Sequence, residues 1–139
     1  MLANWSLQMC IDRAEIGLAF IIENPVNSYL WLLPLALVLL AMPGVLQLDF
    51  HNCMFEPGER RKGTKLVTNI KELEEPLEGK WCRSEEICDR TGDGHQTLRP
   101  NVAGGKITGF NTEPEAEYTE GLCVAMAGSV GKYLEKKEE

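Results

Sequence analysis

The chain has 139 residues, of which 44% are hydrophobic, and a formal net charge of −7. That is the size of one ordinary domain, with enough apolar material for a core. The acidic balance excludes a generic polyanion binder, because affinity for phosphate backbones is built mostly from Lys and Arg.

Residues Asn4 to Ile16 place Trp5, Leu7, Cys10, Ile11, Ala14 and Ile16 near helical spacing, and Gly17 punctuates that helix. "LAFII" then reads as a short buried strand that stops at Glu23-Asn24-Pro25, since Pro25 cannot donate to a ladder. Asn27-Ser28 suits the N-cap of an apolar helix. Tyr29 to Leu48 carries no charge over 20 residues, long enough to cross a bilayer. Pro34 and Pro43-Gly44 interrupt it, however, and leave a helix of about 10 residues, too short to span. A buried helix followed by a buried strand is the preferred reading, and a membrane anchor is its rival.

"VLQLDFHNCMF" alternates like a half-buried strand, and "KLVTNI" reads as another. Between them lies the strongest basic cluster, Arg60, Arg61, Lys62 and Lys65. "KELEEPLEGK" reads as polar surface. Trp81 to Pro114, rich in Gly, Asp, Thr and Asn, reads as one long loop region. A last helix, with Thr119 as its N-cap, carries Leu122, Ala125, Met126, Val130, Tyr133 and Leu134. The expected division is 1–75 as strand and helix core, 76–115 as a loop-rich insert and 116–135 as the C-terminal helix.

The five cysteines are odd in number and scattered, unlike a secreted disulfide framework, and the opening residues lack the pattern of a signal peptide. An intracellular, reducing setting is expected, with soluble and membrane-associated states both open. Cys82, Cys88 and His95 are candidate zinc ligands, with Cys53 or His51 as a fourth. Their C-x5-C-x6-H spacing is longer than that of the usual short knuckles, and the bland alternative is two ordinary thiols and a loop histidine.

Four segments in order resemble cytosine-5 DNA methyltransferases of the phage-type and related eukaryotic kind. They are Glu23-Asn24-Pro25 with Asn27-Ser28 and Trp31; Cys53-Met54-Phe55 with Arg60, Lys62, Thr64, Leu66, Thr68 and Asn69; "CDRTGDGHQTLRP"; and "AEYTEGLCVAMAGSV". The resemblance implies an α/β domain with a partial methyltransferase-like, Rossmann-type sheet and a loop-rich insert. It also implies that Glu23 would hold a flipped cytosine, with Arg60, Lys62 and Asn69 as nucleic-acid contacts. The family's nucleophilic Pro-Cys and its early F-x-G-x-G loop are missing. S-adenosylmethionine would therefore be bound only if another chain complements this one. The expected function is a non-catalytic, methyltransferase-derived protein that binds nucleic acid or protein. The alternatives are a small accessory subunit of a membrane-associated assembly, anchored by Tyr29–Leu48, and the complementing half of a split enzyme.

Overall fold

A computed structural model describes residues 2–58, 60–96, 100–110 and 119–138. Helix α1 (Leu2–Glu15) buries Leu7, Cys10 and Ile11. It ends where Gly17 adopts a positive φ of 76°. The Gly17 N–H then reaches the Ala14 carbonyl at 3.2 Å and the Leu18 N–H reaches the Arg13 carbonyl at 2.8 Å, a Schellman closure.

Strand β1 (Ile21–Pro25) runs further than expected, taking Glu23, Asn24 and Pro25 into the ladder. As β1 is an edge strand here, Pro25 costs the sheet no interior hydrogen bond. The next residues fold on themselves. Asn24 donates to the Ser28 hydroxyl at 2.8 Å, the Leu30 N–H donates to the same hydroxyl at 3.2 Å, and the Trp31 ring N–H donates to the Pro25 carbonyl at 2.9 Å. A 3-10 turn, Tyr29–Leu32, leads into α2 (Pro34–Ala41), with Pro34 in its first turn. The eight residues of α2 are fewer than a membrane span requires. Among the described residues no helix is long and apolar enough to cross a membrane.

Strands β2 (Leu46–His51) and β3 (Gly63–Thr68) complete a sheet of order β1-β3-β2, with both pairings antiparallel. Strands β1 and β2 are therefore parallel to each other, joined through α2, with β3 inserted between them: a split β-α-β unit. The protein is thus mixed α/β. In contrast with the adjacent parallel strands of a Rossmann-type sheet, every strand pair among the described residues is antiparallel.

The central strand is covered on both sides, because alternate side chains leave a strand in opposite directions. Val67 joins α1, α2, Phe20 and Trp31 in one apolar cluster. Leu66 joins Leu48, Phe50, Phe55, Ile70, Leu73, Leu77 and Leu122 in the other. The second cluster corrects the reading of "KELEEPLEGK" as polar surface. Leu73 lies in a 3-10 turn (Lys71–Leu73) and Leu77 in the short helix α3 (Glu74–Leu77), and both are fully buried among their acidic neighbours. They sit four apart, so one face turns inward while Glu74, Glu75 and Glu78 are exposed and Glu72 pairs with Lys136 at 3.2 Å.

The long loop expected over Trp81–Pro114 also contains an antiparallel hairpin, β4 (Pro100–Ala103) and β5 (Lys106–Phe110). Gly104 and Gly105 both have positive φ, which suits the two-residue turn between them. Residues 97–99 and 111–114 of that stretch lie outside the described residues. Helix α4 (Glu120–Glu138) follows, and the Thr119 hydroxyl accepts the Leu122 N–H at 3.3 Å as expected of an N-cap. Residues 116–118, assigned to that helix from sequence, lie outside the described residues.

Candidate metal centre

Beyond β2 the chain turns sharply. A 3-10 turn, Asn52–Met54, carries Cys53 at its middle. The Asn52 N–H is held by the Lys62 carbonyl at 2.9 Å, and the Gly58 N–H reaches the Phe55 carbonyl at 2.6 Å. A side chain at Gly58 would collide with the Asn52 and Phe55 carbonyls, so this turn requires glycine. The second segment returns alongside the end of β2. The His51 N–H donates to the Lys80 carbonyl at 2.8 Å, and the Cys82 N–H donates to His51 Nδ1 at 2.8 Å. A miniature hairpin follows, bridged at Ile87 and Gly94. It is closed by Cys88 N–H on the Asp93 carbonyl, Gly92 N–H on the Cys88 carbonyl and His95 N–H on the Glu86 carbonyl, at 2.8, 2.8 and 2.9 Å.

These two segments bring the side chains of Cys53, Cys82, Cys88 and His95 together, with all four ligand atoms within 4.8 Å of one another. The sequence left the fourth ligand open between Cys53 and His51. The geometry selects Cys53, and His51 instead supports the Cys82 backbone. Cys53 and Cys82 are 0% exposed and Cys88 is 4% exposed.

One sulfur–nitrogen separation matches a tetrahedral ion. Zinc bonds of about 2.3 Å to sulfur and about 2.0 Å to nitrogen place a sulfur and a nitrogen about 3.5 Å apart. Cys82 Sγ and His95 Nε2 are 3.5 Å apart. The imidazole is oriented for the purpose. His95 Nδ1 lies 2.9 Å from the Glu85 carbonyl, which can only accept, so Nδ1 carries the proton and the Nε2 lone pair faces the sulfurs. The Asp89 N–H points at Cys82 Sγ at 3.5 Å, and the Asp89 carboxylate accepts the Arg83 N–H at 2.7 Å.

The thiols experience opposed fields. Burial first, then the hydrogen bonds that Cys53 donates to Cys82 and Cys88, push the Cys53 thiol well up. Burial also opposes ionisation of Cys88, but it is outweighed by the backbone N–H groups of Thr91 and Arg90, the Thr91 hydroxyl and the Cys53 thiol, and Cys88 falls to about 6. Three buried sulfurs in contact repel once ionised, and a divalent cation among them removes that conflict. Three thiolates and an imidazole are a zinc donor set, whereas magnesium and calcium demand oxygen. Four protein ligands leave no coordination position open for water or substrate.

The residues drawn from the methyltransferase resemblance are dispersed. Glu23 is half-buried on β1, paired in register with Leu66. Arg60 and Lys62 are half-buried just before β3, and Asn69 lies just after it, so the strand separates them by roughly 20 Å. The Asn69 amide is engaged in the fold: its Oδ1 accepts the Phe20 N–H at 3.0 Å and its Nδ2 donates to the Leu18 carbonyl at 3.0 Å. A groove of about 780 Å³ between α3 and α4, lined by Phe55, Glu75, Val124 and Lys132 among others, does not include Glu23. A smaller cavity of about 220 Å³, lined by Pro57, Cys88, Arg90 and Asp93 among others, adjoins the cysteine cluster and likewise does not include Glu23.

Comparison of the chain with protein-family models, with curated proteins and with solved structures gives no match.

Proposed function

We propose that this chain is a non-catalytic domain organised by one zinc ion on Cys53, Cys82, Cys88 and His95, and that it serves to bind another protein. The observation that carries the reading is the convergence of four zinc-type donors from two distant segments, three of them buried and the histidine already in the ligating tautomer. A closed set of four protein ligands suits a structural ion rather than a hydrolytic one.

A protein partner is favoured over nucleic acid by charge and by surface. The chain is acidic, and Arg61 and Arg90 direct their donors to backbone carbonyls. Lys65 is paired with Asp49 at 3.5 Å. Meanwhile α1 exposes Leu2, Trp5 (62%) and Met9 at helical spacing, and α2 exposes Leu37 (59%) and Val38. Contiguous apolar surface is where contacts with other macromolecules form, and the spacing along α1 aligns its three side chains on one face.

Metal analysis of the purified protein tests the reading. One zinc per chain is expected, together with the strong charge-transfer absorption of a tetrahedral cobalt-thiolate site on cobalt substitution; Cys82→Ser should lose both. A native chain that takes up neither metal overturns the proposal. Descent from a cytosine-5 DNA methyltransferase, with a partial Rossmann-type sheet, is the second reading, favoured by the order of its four motif-like segments. It makes a different demand: DNA binding that disappears in Glu23→Ala and in Arg60→Ala.

A further inference from the structure

We propose that Arg61 and Arg90 are the positioning residues of the metal centre, each fixing a cysteine ligand through its backbone carbonyl. The inference rests on the zinc reading above. Arg61 belongs to the loop that carries Cys53, yet its Nε and Nη2 both donate to the Cys82 carbonyl, at 3.1 and 2.9 Å. Arg90 belongs to the hairpin that carries Cys88 and His95, yet its Nε donates to the Cys53 carbonyl at 2.7 Å and its Nη2 to the Gly58 carbonyl at 3.0 Å. Its Nη1 lies 3.7 Å from Glu56. Each ligand-bearing segment therefore supplies the arginine that holds a cysteine of the other.

This reciprocity has a physical purpose. Cys53 and Cys82 are separated by 28 residues, so nothing local fixes the distance between their sulfurs. A planar guanidinium with several donors sets the direction of a carbonyl as well as its distance, which an ammonium does not. Three thiolates around one divalent ion would be net anionic, and the two guanidinium cations beside them offset that charge. The hydrogen-bond acceptors of both arginines are main-chain carbonyls, so that geometry depends on the turn at Gly58 and the hairpin, with Glu56 beside them as an ion-pair partner of Arg90.

Zinc affinity, measured by competition with a chromophoric chelator on the full chain, is the test. Arg61→Ala and Arg90→Ala should each weaken zinc binding by about 10–100-fold, the range for partners that orient metal ligands. Arg61→Lys and Arg90→Lys keep the charge without the fork and should restore only part of the loss; they also serve if an alanine variant fails to fold. Arg13 makes the same kind of bond, Nε to the Ala19 carbonyl at 2.7 Å, far from the centre, so Arg13→Ala should leave affinity unchanged. Alanine or lysine variants that bind zinc within twofold of the native chain overturn the proposal. So does a loss of thermal stability that is equal with and without zinc, since that is what a merely structural bond would give. A native chain that binds no zinc instead removes the premise, and the two failures are told apart by the native measurement alone.

Discussion

The sheet body and the limb that carries the Cys82, Cys88 and His95 donors are held by different forces. The body packs apolar residues on both faces of β3, from Leu7 and Leu39 on one side to Phe50 and Leu122 on the other. Over residues 79–96 the buried positions are Cys82 and Cys88 alone. The cluster around them consists of Cys53, Cys82 and Cys88, with Met54 packed alongside. Ordering a backbone residue costs about 1–2 kcal/mol, and the limb has almost no apolar surface to set against that. Directional links replace it: two arginine clamps, a histidine acceptor and the four-donor centre. Where a segment cannot bury hydrocarbon, ligand chemistry can fix it instead.

Selective damage should separate the two halves. Cys82→Ser removes a ligand, and the expected result is complete loss of zinc stoichiometry with amide protection over residues 79–96 collapsing while β3 stays protected; hydrogen exchange reads both. Phe50→Ala should do the reverse. It opens the apolar cluster at a cost of about 3–5 kcal/mol in chemical denaturation, with one zinc per chain retained.

A smaller effect lies at their junction, where the His51 ring lies against Trp81, tilted by 43° with 3.8 Å between centroids. Burial first, then the charges of Arg61 and His95, lower His51 from 6.5 to about 4. The unfolded chain takes up its proton as pH falls through about 6.5, and the folded chain only near 4. This histidine's contribution is therefore fully present above pH 6.5 and is lost on acidification towards pH 4. Melting of the metal-free protein between pH 7 and 4 should show that decline. His51→Asn, which keeps an acceptor for the Cys82 N–H, should flatten it. The smallest expected effect is Thr119→Ala, about 1 kcal/mol from loss of the α4 cap, read by thermal denaturation without change in zinc binding.

The sequence made the body legible where local chemistry decides. Gly17, Pro34 and Thr119 mark helix ends because their φ range or side-chain oxygen acts within one turn. Leu73 and Leu77 were hidden by four surrounding acids, although their spacing of four was a signal. The Gly104-Gly105 pair was a hairpin cue between two β-prone runs. The Glu23-Asn24-Pro25 segment and Trp31 resembled a catalytic motif, yet the bonds formed by Asn24, Ser28 and Trp31 are those of a compact turn after a strand. For the metal cluster, the sequence suggested the donors but not their convergence. The choice between Cys53 and His51 depends on the register of β2 against residues 80–82, a long-range pairing that spacing does not encode. Arg61 was one of a basic run and Arg90 a lone loop residue, and nothing in the chain order reveals that their targets are carbonyls.

Gly121 gives the arrangement a longer reach. Its N–H donates to the Glu56 carbonyl at 2.7 Å, and a Cβ there would stand 2.9 Å from the Glu56 nitrogen. The first turn of α4 thus rests directly on main chain three residues past Cys53, with no side chain to cushion the contact. The start of that 19-residue helix is thereby pinned, through this hydrogen bond, to the loop that carries Cys53.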